Sequence, residues 1–266
     1  MKKIGFIGAG NMGGALAAAV AKSGNSVFLS DANAEKAKAL ACEISAVATT
    51  TADITENCDV IFLGVKPQIL PAVAKEICKA IEERKDSVCL VSMAAGVTLS
   101  QLSEFFPNTK IIRIMPNTPA SVGAGVILYA LGEKAAADDE ATLCEALALA
   151  GSLNKLDEKL IDAATAVSGC GPAFAYMFVE ALADGGVKCG LPRDKAQKFA
   201  AEMLLGAAKL CLESGKHPGE LKDAVCSPGG STIAGVAALE DGAFRASVID
   251  AVESAYIRTK ELSHNK

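Results

Sequence analysis

The stretch KKIGFIGAGNMGGALAAAVAKSG, residues 2–24, constrains this chain more than any other. Its order is strand, glycine turn, helix. Ile4, Phe6 and Ile7 suit a buried strand, Gly8-Ala9-Gly10-Asn11-Met12-Gly13 is G-x-G-x-x-G, and Leu16 and Val20 carry the stripe of a helix ending near Gly24. In such a turn the first glycine permits the bend and the second lets a pyrophosphate approach the backbone. The third lets helix and strand pack closely. The helix start adds free amides and a positive dipole end, which suit phosphates.

The surroundings support a dinucleotide site over an unliganded glycine turn. Val27-Phe28-Leu29 forms a second strand ending at Ser30-Asp31, and Asp31 follows Gly13 at roughly the twenty-residue spacing of a ribose-binding acid. Further strands fall at Val60–Leu63, Val88–Val91, Ile111–Ile114 and Val126–Tyr129, with helical patterns between them. This alternation predicts a Rossmann-type, doubly wound parallel α/β sheet over residues 1–160. GVKP (64–67), SMAAGV (92–97) and MPNTP (115–119) end the strands at Val60–Leu63, Val88–Val91 and Ile111–Ile114, where such sheets meet ligand. The fingerprint's coenzyme-lining set is Gly8, Gly10, Asn11, Met12, Gly13, Ser30 and Asp31. A carboxylate at Asp31 repels a ribose 2′-phosphate, so NADH is favoured, with NADPH as an acceptable second donor. Lys36 and Lys38 are the only cations nearby in sequence. Lys66 has a second reading, as a solvated surface lysine.

From about Ile161 the strand signals stop. VSGCGPAFAYMFVEALADGG is a helix expected to end at Gly185-Gly186, and a second runs from Pro192 to Gly215. A third begins in SPGGSTIAGVAALEDG and a fourth spans Phe244–Leu262, giving an all-α domain over 161–266. Long alanine-rich helices need a surface to cover their stripes, and a second subunit is the expected cover. A self-contained bundle is the alternative.

The charge of −5 lacks the basic excess of a nucleic-acid binder. No segment is expected to span a membrane; Gly8–Ala21 is apolar but short and glycine-broken. Nine scattered cysteines without a C-x-x-C pair, and only two histidines, argue against a metal site. Mostly buried, reduced thiols in a cytoplasmic protein is the expected state.

The histidine count also restricts the chemistry. Alcohol-oxidising nicotinamide enzymes need an acid–base group at the reacting oxygen. His217 lies in a Lys-His-Pro turn, His264 near the C-terminus, and the helix opening the second domain has no lysine between Gly171 and Glu180. A C=N bond fits better, because a protonated imine is already electrophilic and needs orientation most. VCSPGGSTIAGVAALE, residues 225–240, offers a second turn: Gly229, Gly230, Ser231 and Thr232 at a helix start suit a carboxylate. The Thr232 hydroxyl is placed to meet a group beside that carboxylate, and Ser231 and Thr232 are candidate caps of the helix. An ordinary capped helix after a Ser-Pro turn is the other reading.

Taken together, GFIGAGNMG, VKP, MPNTP, SGCGPAF, LADGGVKCGLPR, HPGELKD, SPGGSTI and FRASVIDAVESAYIRTKEL resemble the pyrroline-5-carboxylate reductases over nearly the whole chain. The resemblance implies hydride transfer from NAD(P)H to C5 of 1-pyrroline-5-carboxylate, giving L-proline. It implies a helical dimerisation domain with interlocked helices, and dimers assembled into a larger ring. It adds Val65, Lys66, Pro67, Ala94 and Asn117 to the coenzyme-lining set. It makes Ser227 and Gly229–Thr232 the substrate loop, with the Gly230 and Ser231 amides on the carboxylate and Thr232 bonded to the ring nitrogen. Many family members carry a neutral or basic residue at the place of Asp31. Cys226, beside the loop, is expected to pack rather than react. A reductase of a related cyclic imine, and a coenzyme sensor without turnover, stay open as alternatives.

Overall fold

The computed structural model describes residues 1–264, with side chains as far as Leu262, so His264 is placed only as helical backbone. The chain divides into two compact units: Met1–Cys170 with the C-terminal end from Ala255, and Gly171–Ser254.

The first unit alternates β1 (Lys3–Ile7), α1 (Asn11–Lys22), β2 (Ser26–Ser30), α2 (Ala34–Ile44), β3 (Val47–Ala48), α3 (Thr51–Asn57), β4 (Val60–Leu63), α4 (Leu70–Glu82), β5 (Cys89–Ser92), α5 (Leu99–Phe105) and β6 (Lys110–Met115). It continues through β7 (Gly125–Leu131), α6 (Ala137–Leu147), β8 (Gly151–Lys155) and α7 (Ile161–Ser168). The strands form one sheet in the order β3-β2-β1-β4-β5-β6-β7-β8. Strands β4 and β5 are buried along their whole length, as strands covered on both faces must be. One face packs Phe6, Phe62, Val91 and Ile112 against Leu16 and Val20 of α1, with the Phe6 and Phe62 rings stacked 4.5 Å apart. The other packs Ile61, Leu63 and Leu90 against Leu70, Ile77 and Ile81 of α4.

The alternation of elements predicts a parallel sheet, but the observed sheet is mixed. Strand β7 runs antiparallel to β6. Only residues 116–124, containing a single 3₁₀ turn at Thr118–Val122, connect the two strands, and a parallel crossover needs a dozen or more residues. Across the faces, Arg113 of β6 is 3% exposed and bonds Glu158 at 2.9 Å and Asp162 at 3.2 Å. Glu158 also accepts the N–H of Leu99 at 2.7 Å, so one buried cation ties β6 to the start of α5 and to α7.

The second unit holds α8 (Gly171–Lys188), α9 (Arg193–Ser214), α10 (Pro218–Ala224), α11 (Ser231–Asp241) and the first part of α12 (Phe244–His264). Helix α8 does not stop at Gly185-Gly186. Gly186 is a packing notch, where a Cβ would lie 3.2 Å from Ala196 Cβ of α9; the stop is Gly190, at φ 98°. Only Ala183, Ala196 and Ala200 of this unit are buried, while Tyr176, Met177, Leu205 and Leu212 stand exposed. The expected stripe of α11 (Ile233, Val236, Ala237, Leu239) buries no residue within the chain.

Two other expectations change. One run, Glu158–Lys188, has the length and apolarity of a membrane span by composition alone. Two turn residues, Gly169 and Cys170, separate α7 from α8 within that run, and both of their N–H groups donate to Thr165 O. Of the nine free cysteines only Cys58 and Cys89 are buried, whereas Cys42 and Cys189 are exposed.

Burial first, and then Asp53 for Cys58 and Asp139 for Cys89, pushes both thiols up to about 12 from an ordinary value near 9. The unfolded chain therefore loses these protons first as pH rises. The stability linked to the neutral thiols is complete below pH 9 and lost on the way to about 12. Unfolding free energies from urea titrations should fall across that window by roughly 1 kcal/mol per pH unit for each thiol. The double variant Cys58→Ala, Cys89→Ala should show a shallower fall; an equal slope would remove the thiols as its source.

Candidate active site

The sheet order reverses between β1 and β4, and the glycine turn leaves β1 at that point. Gly8 sits at φ 101°, a left-handed conformation that favours glycine, and its N–H donates to Ser30 O at 2.7 Å. Its carbonyl faces two further glycines. A Cβ on Gly64, just past β4, would lie 2.5 Å from Gly8 O, and one on Gly13 would also fall on that oxygen. Around Gly10 a Cβ would meet nothing within 4 Å, so this backbone is open on its outer side. The first three amides of α1, from Asn11, Met12 and Gly13, meet no acceptor among the described residues. Open backbone beside unpaired amides is the cradle a pyrophosphate needs.

A cleft of ≈ 550 Å³ opens beside this turn. It gathers Gly8, Gly10, Ser30, Asp31, Val65 and Lys66 of the expected residues. Asn11 borders a neighbouring groove with Gly10 and Lys36, and Met12 and Gly13 lie in the first turn of α1. Pro67, Ala94 and Asn117 do not border the cleft. Ala94 is buried in the core. The Asn117 amide is committed to the scaffold: its oxygen accepts Val126 N–H at 2.9 Å and its nitrogen donates to Ser168 O at 2.9 Å. Asp31 accepts the N–H of Ala9 at 2.7 Å on one oxygen and that of Asn33 at 2.9 Å on the other.

The sequence reading misses Thr51. Its hydroxyl lies 2.9 Å from the Ser30 hydroxyl, and both border the cleft. Thr51 opens α3 directly after β3, a strand of two residues too short to show in the pattern.

In the helical unit, Ser227-Pro228-Gly229-Gly230 forms a tight turn. Gly230 N–H donates to Ser227 O at 3.0 Å and Gly229 takes φ 67°, which is the Pro-Gly order of a type II turn. A Cβ on Gly230 would collide with the Ser227 hydroxyl. The helix cap is Gly230, not Ser231 or Thr232 as expected: its extended backbone (ψ 170°) takes the capping position and leaves the two hydroxyls in the first turn of α11. Neither hydroxyl has a partner among the described residues. His217 is committed as the cap of α10, its Nδ1 accepting Gly219 N–H at 3.1 Å. The only lysine of α8 is Lys188, in its last turn. Cys226 is half-buried beside the turn. No cluster of metal-ligating side chains occurs among the described residues.

A sheet switch point with an open glycine turn, joined to a helical unit bearing a second glycine turn, defines a nicotinamide-dinucleotide oxidoreductase architecture. Comparison narrows the class. Residues 3–96 match the family described as "NADP oxidoreductase coenzyme F420-dependent", and residues 158–262 match "Pyrroline-5-carboxylate reductase dimerisation". The chain is 41% identical to pyrroline-5-carboxylate reductase of Arabidopsis thaliana, covering 99% of this chain and 96% of that protein. It is 44% identical to pyrroline-5-carboxylate reductase 2 of Rattus norvegicus, covering 97% and 83%. The crystal structure of Plasmodium falciparum pyrroline carboxylate reductase with NADP bound is similar, with TM-score 0.86 at 30% identity over 99% of this chain and 100% of that one. A Coxiella burnetii pyrroline-5-carboxylate reductase gives 0.90 at 29% identity over 98% of each. This chain belongs to the pyrroline-5-carboxylate reductase family.

Gly64→Ala tests the cradle. The added methyl must displace Gly8 O, and with it the turn. NADPH fluorescence titration should show Kd raised about tenfold or more, the equivalent of about 1.4 kcal/mol. Unchanged affinity would show that the turn does not depend on this contact.

Proposed function

We propose that this chain reduces the C=N bond of 1-pyrroline-5-carboxylate with NADH or NADPH, forming L-proline in the last step of proline synthesis. Near-full-length similarity to reductases of that name carries the reading. The two glycine turns give it a physical basis. A reduced nicotinamide, when bound, supplies the hydride that C5 accepts. The C=N electron pair moves to the ring nitrogen, which is protonated as an iminium or takes a proton from Thr232 or water.

The residues divide the work. Gly8, Gly10, Asn11, Met12 and Gly13 receive the pyrophosphate, and Ser30 and Asp31 face the adenosine ribose. Val65, Lys66, Pro67, Ala94 and Asn117 support the coenzyme, the last two from within the scaffold. In the helical domain Ser227 and Gly229 shape the turn, while the amides near Gly230 and Ser231 hold the substrate carboxylate. Thr232, the catalytic residue, hydrogen-bonds the ring nitrogen through a hydroxyl that has no partner among the described residues. We assign coenzyme binding to residues 1–160 and substrate binding with dimerisation to 161–266, in dimers that build a larger ring. A cytoplasmic setting suits nine free thiols, and nucleic acid and membrane are not among the partners. NADH is the favoured donor, because the Asp31 carboxylate repels a 2′-phosphate.

Steady-state assays with 1-pyrroline-5-carboxylate and each coenzyme test the reading. Turnover is expected with both, at a higher kcat/KM for NADH, and Asp31→Asn should move the ratio toward NADPH. Thr232→Ala should lower kcat by about 10- to 100-fold, the range of one lost transition-state hydrogen bond, while coenzyme Kd holds. Full turnover in that variant would remove Thr232 from the chemistry.

A further inference from the structure

The carboxylate of Asp31 bonds the very loop that it stands beside. Asp31 directly follows β2. One oxygen accepts Ala9 N–H at 2.7 Å, and the other accepts Asn33 N–H at 2.9 Å. Asn33 in turn caps α2 by accepting Lys36 N–H at 3.2 Å. The preceding residue, Ser30, accepts Gly8 N–H through its carbonyl. Consecutive amides of the glycine turn, Gly8 and Ala9, are thus held by consecutive residues at the end of β2. Ala9 is 2% exposed, so little water competes for its amide. A hydrogen bond to an ionised carboxylate is roughly twice as strong as a neutral one.

We propose that Asp31 is a positioning residue for the glycine turn, setting the backbone that receives the pyrophosphate, in addition to any discrimination between the two riboses. The proposal rests on the coenzyme-binding reading above. It separates two properties of one side chain. Repulsion of a 2′-phosphate depends on charge, whereas holding Ala9 and Asn33 together depends on side-chain length. Asp31→Glu keeps the charge and adds one C–C bond, about 1.5 Å, which pushes the carboxylate past the two amides.

Titrations of the full-length wild type and Asp31→Glu with NADH and with NADPH decide the matter. The expected result is a parallel loss of affinity for both coenzymes, roughly tenfold, as one charge-assisted hydrogen bond implies. The NADH:NADPH ratio should be retained, and in turnover the loss should fall on KM for coenzyme rather than on kcat. Loss for NADH alone, or for neither coenzyme, overturns the proposal and leaves the function intact. A wild type that takes up neither coenzyme overturns the function itself. If the variant does not fold, amide hydrogen exchange of the uncomplexed wild type gives the answer: Ala9 should be protected well above Asn11, and equal exchange overturns the proposal.

Discussion

The contact on which the coenzyme unit depends is the one around the Gly8 carbonyl. The end of β1, the first turn of α1 and the residue after β4 approach within distances that no side chain permits, since Cβ atoms on Gly13 or Gly64 would fall on that oxygen. Core packing makes the closeness possible. Phe6 and Phe62 stack on adjacent strands, and Leu16 and Val20 seat α1 over them. A close-packed interior transmits displacement instead of absorbing it. The position of the α1 amides is therefore a consequence of the whole β1–α1–β4 packing, and the cleft beside them inherits that rigidity.

The helical unit has the opposite character. Three alanines are its whole buried apolar set, and large side chains such as Tyr176, Met177, Phe199 and Leu212 face outward. Phe174, Met177 and Phe178 of α8 and Phe244 and Val248 of α12 border an apolar hollow of ≈ 410 Å³, with the Phe178 and Phe244 rings 5.7 Å apart. At about 25 cal/mol per Å² of apolar surface covered, helices with so little internal core draw their stability from association. The family match to a dimerisation domain over residues 158–262 agrees with that requirement. The turn at Ser227–Gly230 belongs to this unit and is held by its own Pro-Gly conformation and the Gly230 N–H bond to Ser227 O.

The parts legible in the sequence are those governed by local rules. Strand β4 lies at the expected Val60–Leu63 because four consecutive apolar residues must be covered on both faces. The stop of α9 at Gly215 follows from a left-handed cap, φ 64°. Illegible parts depend on partners distant in sequence or on weak patterns. Strand β8, GSLNK, is an edge strand with exposed polar residues and no apolar alternation. Strand β3 has two residues, and its loss hides Thr51. Helix α10 is hidden by His217-Pro218-Gly219, which suggests a turn, although Pro218 suits a first helical position and His217 caps it. Nothing in the local sequence around Arg113 announces carboxylates at Glu158 and Asp162. The double glycine of α8 misleads because glycine also marks close helix approach, a role only the neighbouring helix reveals.

The chemistry follows from what the side chains have already been used for. His217 is occupied as a helix cap, the Asn117 amide joins β7 to α7, and Arg113 is neutralised by two carboxylates. None of these three groups is left free to serve as the acid for a developing alkoxide. An imine makes a smaller demand. Its nitrogen is basic enough to carry a proton into the site, so the charge that hydride transfer removes is present before reaction, and orientation becomes the main requirement. Backbone amides at the start of α11 and hydroxyls without a partner among the described residues suit that requirement without a titrating group. Each glycine turn is fixed by positions where a side chain would collide, Gly64 against the Gly8 carbonyl in the one and Gly230 against the Ser227 hydroxyl in the other.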